Sequence, residues 1–193
     1  AEGYTGIIVT DHFFNGNSAV PRNLPWKERI EIFCTGYENA KKKGDEIGLD
    51  VFFGFEYGDG CSDFLVYGLD KKWLIKNDHI LDMELTHFLE YARSCGGIIF
   101  QAHPFREREY IRSTTHAPHF VDGVEVGNLS HDPIFNERAK IYADWYNLPW
   151  TSGSDAHNTT HRWYGGGVLS EKKFSSALDY AKAVVNGEIE IIE

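Results

Sequence analysis

The sequence lacks the features that would place a chain in a membrane or in a disulfide-stapled scaffold. No apolar run in its 193 residues approaches the length of a membrane span. Its three cysteines, Cys34, Cys61 and Cys95, are odd in number, far apart and without any Cys-x-x-Cys spacing. This pattern fits buried thiols in a reducing compartment, so we expect a cytoplasmic protein rather than a disulfide framework.

Basic residues are also scarce, since 19 Lys and Arg stand against 29 Asp and Glu and give a formal net charge of −10. This balance argues against a nucleic-acid backbone as the main partner. The chain has neither a Gly-x-Ser-x-Gly nucleophile elbow nor a Walker phosphate loop. Apolar residues make up 42%, including 13 Phe, 10 Tyr and 5 Trp, which is the composition of a globular domain. We therefore expect a single domain over residues 1–193.

Strand and helix patterns alternate along the chain, which predicts an α/β fold around a parallel sheet, open or closed. The helix that begins near Trp26 is predicted to end at Gly44, after a run of lysines. Asp132 and Pro133 are predicted to start another helix. Four of its large side chains are predicted to face inward: Ile134, Ile141, Tyr142 and Trp145. Strands are predicted at 4–10, 51–55, 64–69, 98–102, 123–126, near 150 and at 189–192.

Potential metal ligands stand at the carboxyl ends of four predicted strands, where sites in α/β folds are built. They are His12 (after Asp11), Glu56, His103, and Asp155 with His157. An Asp and a His two residues apart on an extended backbone point the same way and can approach one ion together. Imidazole and carboxylate ligands suit Zn, Mn or Fe. Any one of these residues is more simply the first polar residue after a buried strand, but four such strand ends together favour a metal site.

Several other polar residues are candidates for supporting roles. Asn128 follows a predicted strand and is interpreted as an outer partner of the ligands, or as a simple strand-end cap. Arg106, three residues after His103, could bind a phosphate oxygen as a bidentate fork, or could be a surface arginine. The remaining histidines are predicted to face solvent, with one of His131 or His161 near the mouth of the site.

Five segments together resemble the polymerase and histidinol phosphatase (PHP) superfamily. They are 6–12 (GIIVTDH), 54–57 (GFEY), 102–104 (AHP), 123–126 (GVEV) and 154–157 (SDAH), and they follow the order of the family. The resemblance implies a distorted (βα)7 barrel with two or three divalent metal ions (Zn, Mn or Fe) at its carboxyl end. It also implies the following metal ligands: His12, Glu56, His103, Asp155 and His157. Asp11 is interpreted as an outer partner.

Two departures from the family pattern lead to further expectations. The family begins with a His-x-His on its first strand, and nothing before Tyr4 matches it. We therefore expect the first strand and helix of the barrel to be missing, the metal site to be incomplete, and the strand at 4–10 to have an unpaired edge. Where some members have a histidine ligand, this chain has Asp63, which is a tentative ligand or a turn residue.

These observations predict a metal-dependent phosphoesterase that acts on a small phosphorylated metabolite or nucleotide. Bound ions lower the pKa of a water, supply hydroxide at neutral pH and clamp the oxygens of a phosphoester. One alternative is a non-catalytic PHP-like module that binds metal or docks a partner, which the missing His-x-His favours. A second is a metal-dependent amide hydrolase, which a shortage of basic residues at the site mouth would favour. The sequence leaves the oligomeric state open.

Overall fold

The computed structural model of the chain describes residues 3–158 and 166–192, which form an α/β fold around a curled, half-barrel sheet of six strands. The strands lie in the sheet in chain order: β1 (Gly6–Val9), β2 (Asp50–Gly58), β3 (Asp63–Tyr67), β4 (Ile98–Ala102), β5 (Gly123–Asn128) and β6 (Trp150–Gly153). A separate antiparallel pair consists of β7 (Gly167–Leu169) and β8 (Glu190–Ile192). The helices are α1 (Trp26–Ile47), α2 (Lys71–Lys76), a 3₁₀ helix (Asp78–Asp82), α3 (Leu85–Ser94), α4 (Pro133–Tyr146) and α5 (Ala177–Val185).

The expectation of a parallel sheet is wrong for β3, which runs antiparallel to both β2 and β4. Only residues 59–62 join β2 to β3, and the side chain of Asp59 accepts hydrogen bonds from the backbone of Cys61 and Ser62 in this turn. A parallel connection would need a crossover of about a dozen residues. The hairpin therefore brings the end of β2 and the start of β3 to the same edge of the sheet.

Strand β1 is the edge strand of the six-stranded sheet within residues 3–158 and 166–192, and it pairs with β2 alone. An unpaired edge at this strand was expected from the sequence. The Tyr4 hydroxyl donates a hydrogen bond of 2.8 Å to the carbonyl of Gly166, just before β7. This bond links the segment just before β1 to the residue just before β7.

Both faces of the sheet are covered by apolar side chains. Successive residues of a strand point to opposite faces. In β3, Phe64 and Val66 accordingly join the core under α1, α2 and α3, whereas Leu65 and Tyr67 join the core under α5. With both faces packed, the ends of the strands are left as the place where polar side chains can gather.

Helix α1 does not end at Gly44, as the sequence predicted, but continues to Ile47 and is capped by Gly48 at a φ of +75°. The Gly48 N–H donates to the Gly44 carbonyl. A Cβ atom at Gly44 would lie 2.5 Å from both the Leu49 carbonyl oxygen and Cγ2 of Val51. Gly44 therefore permits close packing of the helix against β2 and is not its stop signal.

Helix α4 begins where predicted, because the Asp132 carboxylate accepts a hydrogen bond from the Ile134 backbone N–H. Its inward face was assigned wrongly: only Tyr142 of the four large side chains is buried. Ile134, Ile141 and Trp145 are 49%, 68% and 81% exposed. The buried face instead uses small residues that allow the helix to approach β5 closely, namely Ala139 and Ala143.

No helix within the described part of the chain is both long enough and apolar enough to cross a membrane.

Candidate metal centre

All five residues that the sequence singled out as ligands lie together at one edge of the sheet. His12 Nδ1 is 3.1 Å from Glu56 Oε2, and Glu56 Oε1 is 3.3 Å from His103 Nε2. Asp155 Oδ2 is 4.0 Å from His103 Nε2, and Asp155 Oδ1 is 3.4 Å from His157 Nδ1. The cluster joins residues that follow β1, β4 and β6 to one residue within β2.

The first half of the cluster, here called the hairpin group, consists of His12, Glu56 and Asp63, each with a ligand atom within 4.8 Å of the others. The backbone places His12 and Glu56 side by side, because the two residues form an isolated parallel bridge. Asp63 pairs opposite Gly58 in the β2–β3 hairpin. A Cβ atom at Gly58 would lie 2.8 Å from Asp63 Oδ1, so the glycine leaves room for this carboxylate.

The second half, here called the strand-end group, consists of His103, His131 and Asp155, again with ligand atoms within 4.8 Å of one another. His103 and Asp155 have φ values of +26° and +48°. Such values are uncommon for residues other than glycine, and they concentrate at functional sites. The backbone after β4 and after β6 is therefore held in an unfavourable conformation that presents these two side chains.

His131 was expected to face solvent or, as one of two alternatives, to lie near the mouth of the site, and it is a member of the cluster. Its side chain is only 2% exposed, and Nε2 lies 3.4 Å from Asp155 Oδ2. The signal that could have identified it is its position shortly after β5, since the other ligands were found by the same rule. His161, the alternative residue for the site mouth, lies outside the described residues.

Burial and partners act differently on the carboxylates of the two groups. Burial raises the pKa of Glu56 to about 8, and the negative charge of Asp63 adds to the shift, while His12 opposes it. Burial would also raise the pKa of Asp155. There, however, a hydrogen bond with His131 and the charges of His103 and His157 together hold the pKa below its usual range. The pKa values of Glu56 and Asp155 are thus shifted in opposite directions, because among the described residues Asp155 has hydrogen-bond donors that Glu56 does not have.

The residues present fit divalent metal ions. Imidazole nitrogens and carboxylate oxygens are ligands for Zn, Mn and Fe. His12 Nδ1 is buried and lies 3.1 Å from Glu56 Oε2, but this contact lacks the geometry of a hydrogen bond, so the nitrogen is left available as a ligand atom. Glu56 and Asp63 form a buried pair of carboxylates, and a bound cation would supply the charge that burial otherwise makes costly.

Hydrogen bonds indicate which ring nitrogens are free to bind an ion. His157 Nδ1 lies 2.9 Å from the Asp155 carbonyl oxygen, which can only accept, so Nδ1 carries a proton and Nε2 is the nitrogen with a lone pair when the ring is neutral. His131 has the opposite arrangement. Its Nδ1 lies 3.2 Å from Arg108 Nη2, which can only donate, so Nε2 carries the proton toward Asp155. Binding of an ion at His131 Nε2 would therefore require its proton to move and its contact with Arg108 to break.

The residues predicted to support the ligands are placed around the cluster in different ways. Arg106 Nη2 donates to Asp63 Oδ2 at 2.7 Å. Asn128 contacts no predicted ligand directly, but its Oδ1 accepts from the N–H of Ser130, whose hydroxyl lies 3.1 Å from Asp155 Oδ2. The Asp11 carboxylate is near α1, since a Cβ atom at Gly36 would lie 3.0 Å from its Oδ2. The phosphate-binding role of Arg106 and the supporting roles of Asp11 and Asn128 remain predictions.

A cavity of about 410 Å³ opens onto both groups. Its walls include members of the hairpin and strand-end groups together with Arg106 and Arg108. Tyr110 and Ile111 of the loop after β4 form another part of the wall. A chamber of this size that combines carboxylates, imidazoles and two guanidinium groups is suited to a small anionic ligand held against bound cations.

Comparisons with known proteins relate this chain to others of the same fold. A family described as PHP-associated matches residues 133–161, which cover α4, β6 and Asp155. No curated protein sequence matches the chain. Among solved structures, one that resembles it is a two-domain protein from Bacteroides vulgatus ATCC 8482 containing a predicted PHP-like metal-dependent phosphoesterase. The TM-score is 0.66 at 15% identity, with 96% of this chain and 55% of that one covered.

Two further solved structures have the same fold. A protein from Bifidobacterium adolescentis ATCC 15703, provisionally described as a metal-dependent phosphoesterase, gives a TM-score of 0.54 at 15% identity over 97% of this chain and 98% of that one. PsfC from Pseudomonas syringae PB-5123 gives 0.61 at 17% identity over 93% and 74%. The chain spans about half the length of the two-domain protein. The PHP resemblance inferred from the sequence is thus confirmed as a likeness of fold.

Proposed function

We propose that this domain is a metal-dependent phosphoesterase that hydrolyses a small phosphorylated metabolite or nucleotide. The observation that carries the proposal is the meeting of two His-and-carboxylate groups in one cavity that also contains two arginines. The likeness of fold to proteins described as metal-dependent phosphoesterases supports the same conclusion.

In this proposal each group holds one divalent ion. His12, Glu56 and Asp63 would hold the first, and His103, His131 and Asp155 the second. Glu56 Oε1 lies 3.3 Å from His103 Nε2, so the carboxylate of the hairpin group is close to a ligand of the strand-end group. When bound, such ions lower the pKa of a water molecule and neutralise charge on the oxygens of a phosphoester. His157, at the mouth with its Nε2 lone pair free, completes the ligand set.

The two arginines are proposed to bind and orient the phosphate. Arg106 is held against Asp63 at 2.7 Å, at the border of the hairpin group. Arg108 contacts His131 through Nη2, and an ion at His131 would release this guanidinium toward the cavity. A guanidinium presents paired donors that match the geometry of phosphate oxygens. Metal loading and phosphate binding would then reinforce each other through Arg108.

The same arginines bear on the choice between a phosphoester and an amide substrate. Amide hydrolysis would be favoured by a cavity mouth poor in basic residues, because a neutral carbonyl substrate needs no anion-binding group. Here Arg106 and Arg108 both line the cavity. The cavity volume of about 410 Å³ lies in the range of pockets for small molecules. A small phosphorylated substrate therefore accounts better for the arginines than an amide does.

The test is hydrolysis of an aryl phosphate monoester and of a bis-aryl phosphodiester by purified protein. The protein is first stripped with a chelator and then reloaded with Mn²⁺, Zn²⁺ or Fe²⁺. We expect no turnover in the stripped protein and recovery on reloading. Trp145→Ala, a change at a remote residue that is 81% exposed, serves as the control for handling and folding.

Two outcomes would contradict the proposal in different ways. Undiminished turnover in the stripped protein would show that the reaction does not depend on metal. Stoichiometric metal binding without hydrolysis of either ester would favour a non-catalytic metal-binding module. An aryl amide is included in the same assay, so that hydrolysis of an amide bond would be detected if neither ester is cleaved.

A further inference from the structure

Glu125 is a buried carboxylate beneath the cluster that belongs to neither ligand group. It lies in the middle of β5 and is 6% exposed. A single oxygen, Oε2, accepts two hydrogen bonds, one from the backbone N–H of His103 at 3.1 Å and one from Asn128 Nδ2 at 2.9 Å. A carboxyl group is costly to bury unless it is well hydrogen-bonded. The two donors to Oε2 therefore identify the parts of the site that Glu125 stabilises.

The first branch from Glu125 reaches His103 directly. The His103 N–H is the backbone donor of a residue whose φ is +26°, outside the regions that most side chains favour. A conformation of this kind persists only when its surroundings fix it. The hydrogen bond to Glu125 fixes the peptide immediately before the His103 side chain, and with it the direction in which the imidazole leaves β4.

The second branch reaches Asp155 through two intermediate residues. Asn128 Nδ2 is held by Glu125, so its Oδ1 faces the loop after β5 and accepts from the Ser130 N–H at 2.9 Å. The Ser130 hydroxyl lies 2.7 Å from Asn128 Oδ1 and 3.1 Å from Asp155 Oδ2. The hydroxyl has one proton, which it can donate either to Asn128 Oδ1 or to Asp155 Oδ2, so Ser130 links the two side chains at hydrogen-bond distance.

The neighbouring strand makes room for this arrangement. A Cβ atom at Gly153 in β6 would lie 2.8 Å from Glu125 Oε1, so only glycine leaves the carboxyl group space. The pairing of β5 with β6 also shifts register between Glu125 and Gly127. Irregularities of this kind redirect side chains next to functional sites. Strands β4, β5 and β6 therefore meet at Glu125 in a geometry that depends on its carboxyl group.

We propose that Glu125 is a positioning residue that sets His103 and Asp155, on two different strand ends, in the geometry that binds a divalent cation. The inference rests on the proposed function, in which both residues hold an ion. Glu125 itself contacts no ion in this proposal. It acts by accepting hydrogen bonds, so an uncharged side chain with an oxygen in the same place should replace it.

The experiment compares Glu125→Gln with Glu125→Met in the whole chain. Glutamine can place its amide oxygen where Oε2 now lies and keep both hydrogen bonds, whereas methionine has similar length but accepts neither. Co²⁺ affinity and the visible absorption spectrum of the Co²⁺-loaded protein are measured. We expect Glu125→Met to weaken binding by about 10- to 100-fold, as loss of an outer partner does, and to alter the spectrum. Glu125→Gln should keep the spectrum and should keep the Co²⁺ affinity within about 3-fold, which is less than that loss.

Gln101→Met is the matched control. Gln101 is a fully buried polar residue of the adjacent strand β4. It hydrogen-bonds Thr115, Ala117 and Tyr142 and no member of either ligand group. Gln101→Met should lower stability without changing the Co²⁺ spectrum. Unchanged affinity and spectrum in Glu125→Met would overturn the positioning role, as would equal losses in Glu125→Gln and Glu125→Met, which would point to the charge instead.

A second variant and a metal-free measurement keep the inference separate from the proposed function. Ser130→Ala removes the hydroxyl that reaches Asp155 and Asn128 but keeps the Ser130 N–H, so it should weaken Co²⁺ binding less than Glu125→Met does. This variant also keeps the branch to Asp155 testable if Glu125→Met folds poorly. In metal-free protein, the backbone amide resonances of His103 and Ser130 should shift in Glu125→Met and return in Glu125→Gln. If the natural chain binds no cation, the proposed function fails, while unchanged amide resonances in Glu125→Met would refute the positioning itself.

Discussion

The hairpin group and the strand-end group contain carboxylates of similar burial that behave in opposite ways. The side chains of Glu56 and Asp155 are 8% and 14% exposed. The pKa of Glu56 is nevertheless raised to about 8 by burial and by Asp63, whereas that of Asp155 is lowered by His131, His103 and His157 despite burial. Since the two carboxylates are similarly buried, their different partners account for the opposite shifts of their pKa values.

The difference shows how each half would respond to a cation. Asp155 is already supported by donors, among them the Ser130 hydroxyl, so the strand-end group is organised before an ion arrives. Glu56 and Asp63 repel each other, and Arg106 offsets only part of their charge. A cation in the hairpin group would therefore displace a proton as well as coordinate oxygen.

The largest expected effect comes from removing the two carboxylate charges separately. Asp155→Asn and Glu56→Gln should each lower phosphoesterase activity by more than about 100-fold, beyond the loss typical of an outer partner. Their effects on the metal-free protein should differ in sign. Glu56→Gln should raise the urea midpoint because it removes a buried acid, and Asp155→Asn should lower it because donors lose their partner. Equal shifts of the midpoint in the two variants would abolish the distinction between the groups.

The matched control for these two variants is Glu137→Gln, a change of an exposed glutamate on α4 that forms an ion pair with Lys140. Its activity should be unchanged, and its free energy of unfolding should stay within about 0.5 kcal/mol of that of the natural chain, as for most surface changes. A comparable loss of activity in this variant would show that the assay reports folding instead of the site.

The next effect separates the groups by metal content. His131→Gln should remove the ion of the strand-end group and spare that of the hairpin group, because His131 lies 3.4 Å from Asp155. Metal analysis should then show one ion fewer per chain. His79→Gln, at a side chain that is 49% exposed on the 3₁₀ helix, is the control. If His131→Gln keeps the full metal content, the strand-end group as defined here does not bind an ion.

A smaller effect is expected at Arg106, which contacts Asp63 of the hairpin group and lines the cavity. Arg106→Met should raise KM for an aryl phosphate by about 10-fold or more, since a hydrogen bond to a charged group contributes about 1.5–3 kcal/mol. Arg138→Met, at an exposed arginine paired with Glu107, should leave KM unchanged. A lower metal affinity with an unchanged KM would mean that Arg106 supports Asp63 and does not bind the phosphate.

The smallest effect is the pH dependence of the metal-free protein. The raised pKa values of Glu56 and Glu125, about 8 and about 7, mean that the folded chain keeps protons that the unfolded chain has released. The free energy of unfolding should therefore fall as pH rises toward about 8, and burial, which raises the pKa of the Cys34 thiol to about 12, continues the fall at higher pH. The lowered pKa of His131 acts in the opposite sense below about pH 6.5, so the slope is best measured above that value.

Two variants test the origin of this slope by urea unfolding between about pH 6.5 and 8.5. Glu56→Gln should reduce it, because one of the two groups that retain protons is gone. Asp155→Asn should leave it intact, since the lowered pKa of Asp155 confines its contribution to acid below about pH 4. A slope that disappeared in Asp155→Asn would mean that the charges are distributed differently between the groups.

Much of the centre could be predicted from the sequence because its residues follow buried strands. His12, His103, Asp155 and His157 all lie just beyond a strand, where a polar residue stands out against an apolar run. Glu56 was found by the same rule although β2 continues to Gly58. In that case the family resemblance, and not the strand end, is what distinguishes the residue.

The parts that escaped prediction depend on contacts distant in the chain. Glu125 lies between two valines in β5, and nothing local shows that a backbone N–H of β4 awaits its carboxylate. The direction of β3 depends on the short turn after β2, whereas the alternation of strands and helices along the chain predicted a parallel sheet. In α4, size suggested that Ile141 and Trp145 were buried, but packing against β5 selected alanines.

The β2–β3 hairpin has a consequence for the order in which the centre forms. Glu56 and Asp63 are brought together by a local turn, so these two ligands need little loop closure and can meet early in folding, whereas His12 joins them only when β1 pairs with β2. His103 and Asp155 meet only after β5 and β6 have docked on β4, across a much longer stretch of chain. Cation binding to the strand-end group would therefore mark the completion of the fold, and refolding monitored by Co²⁺ absorption should lag behind formation of the hairpin.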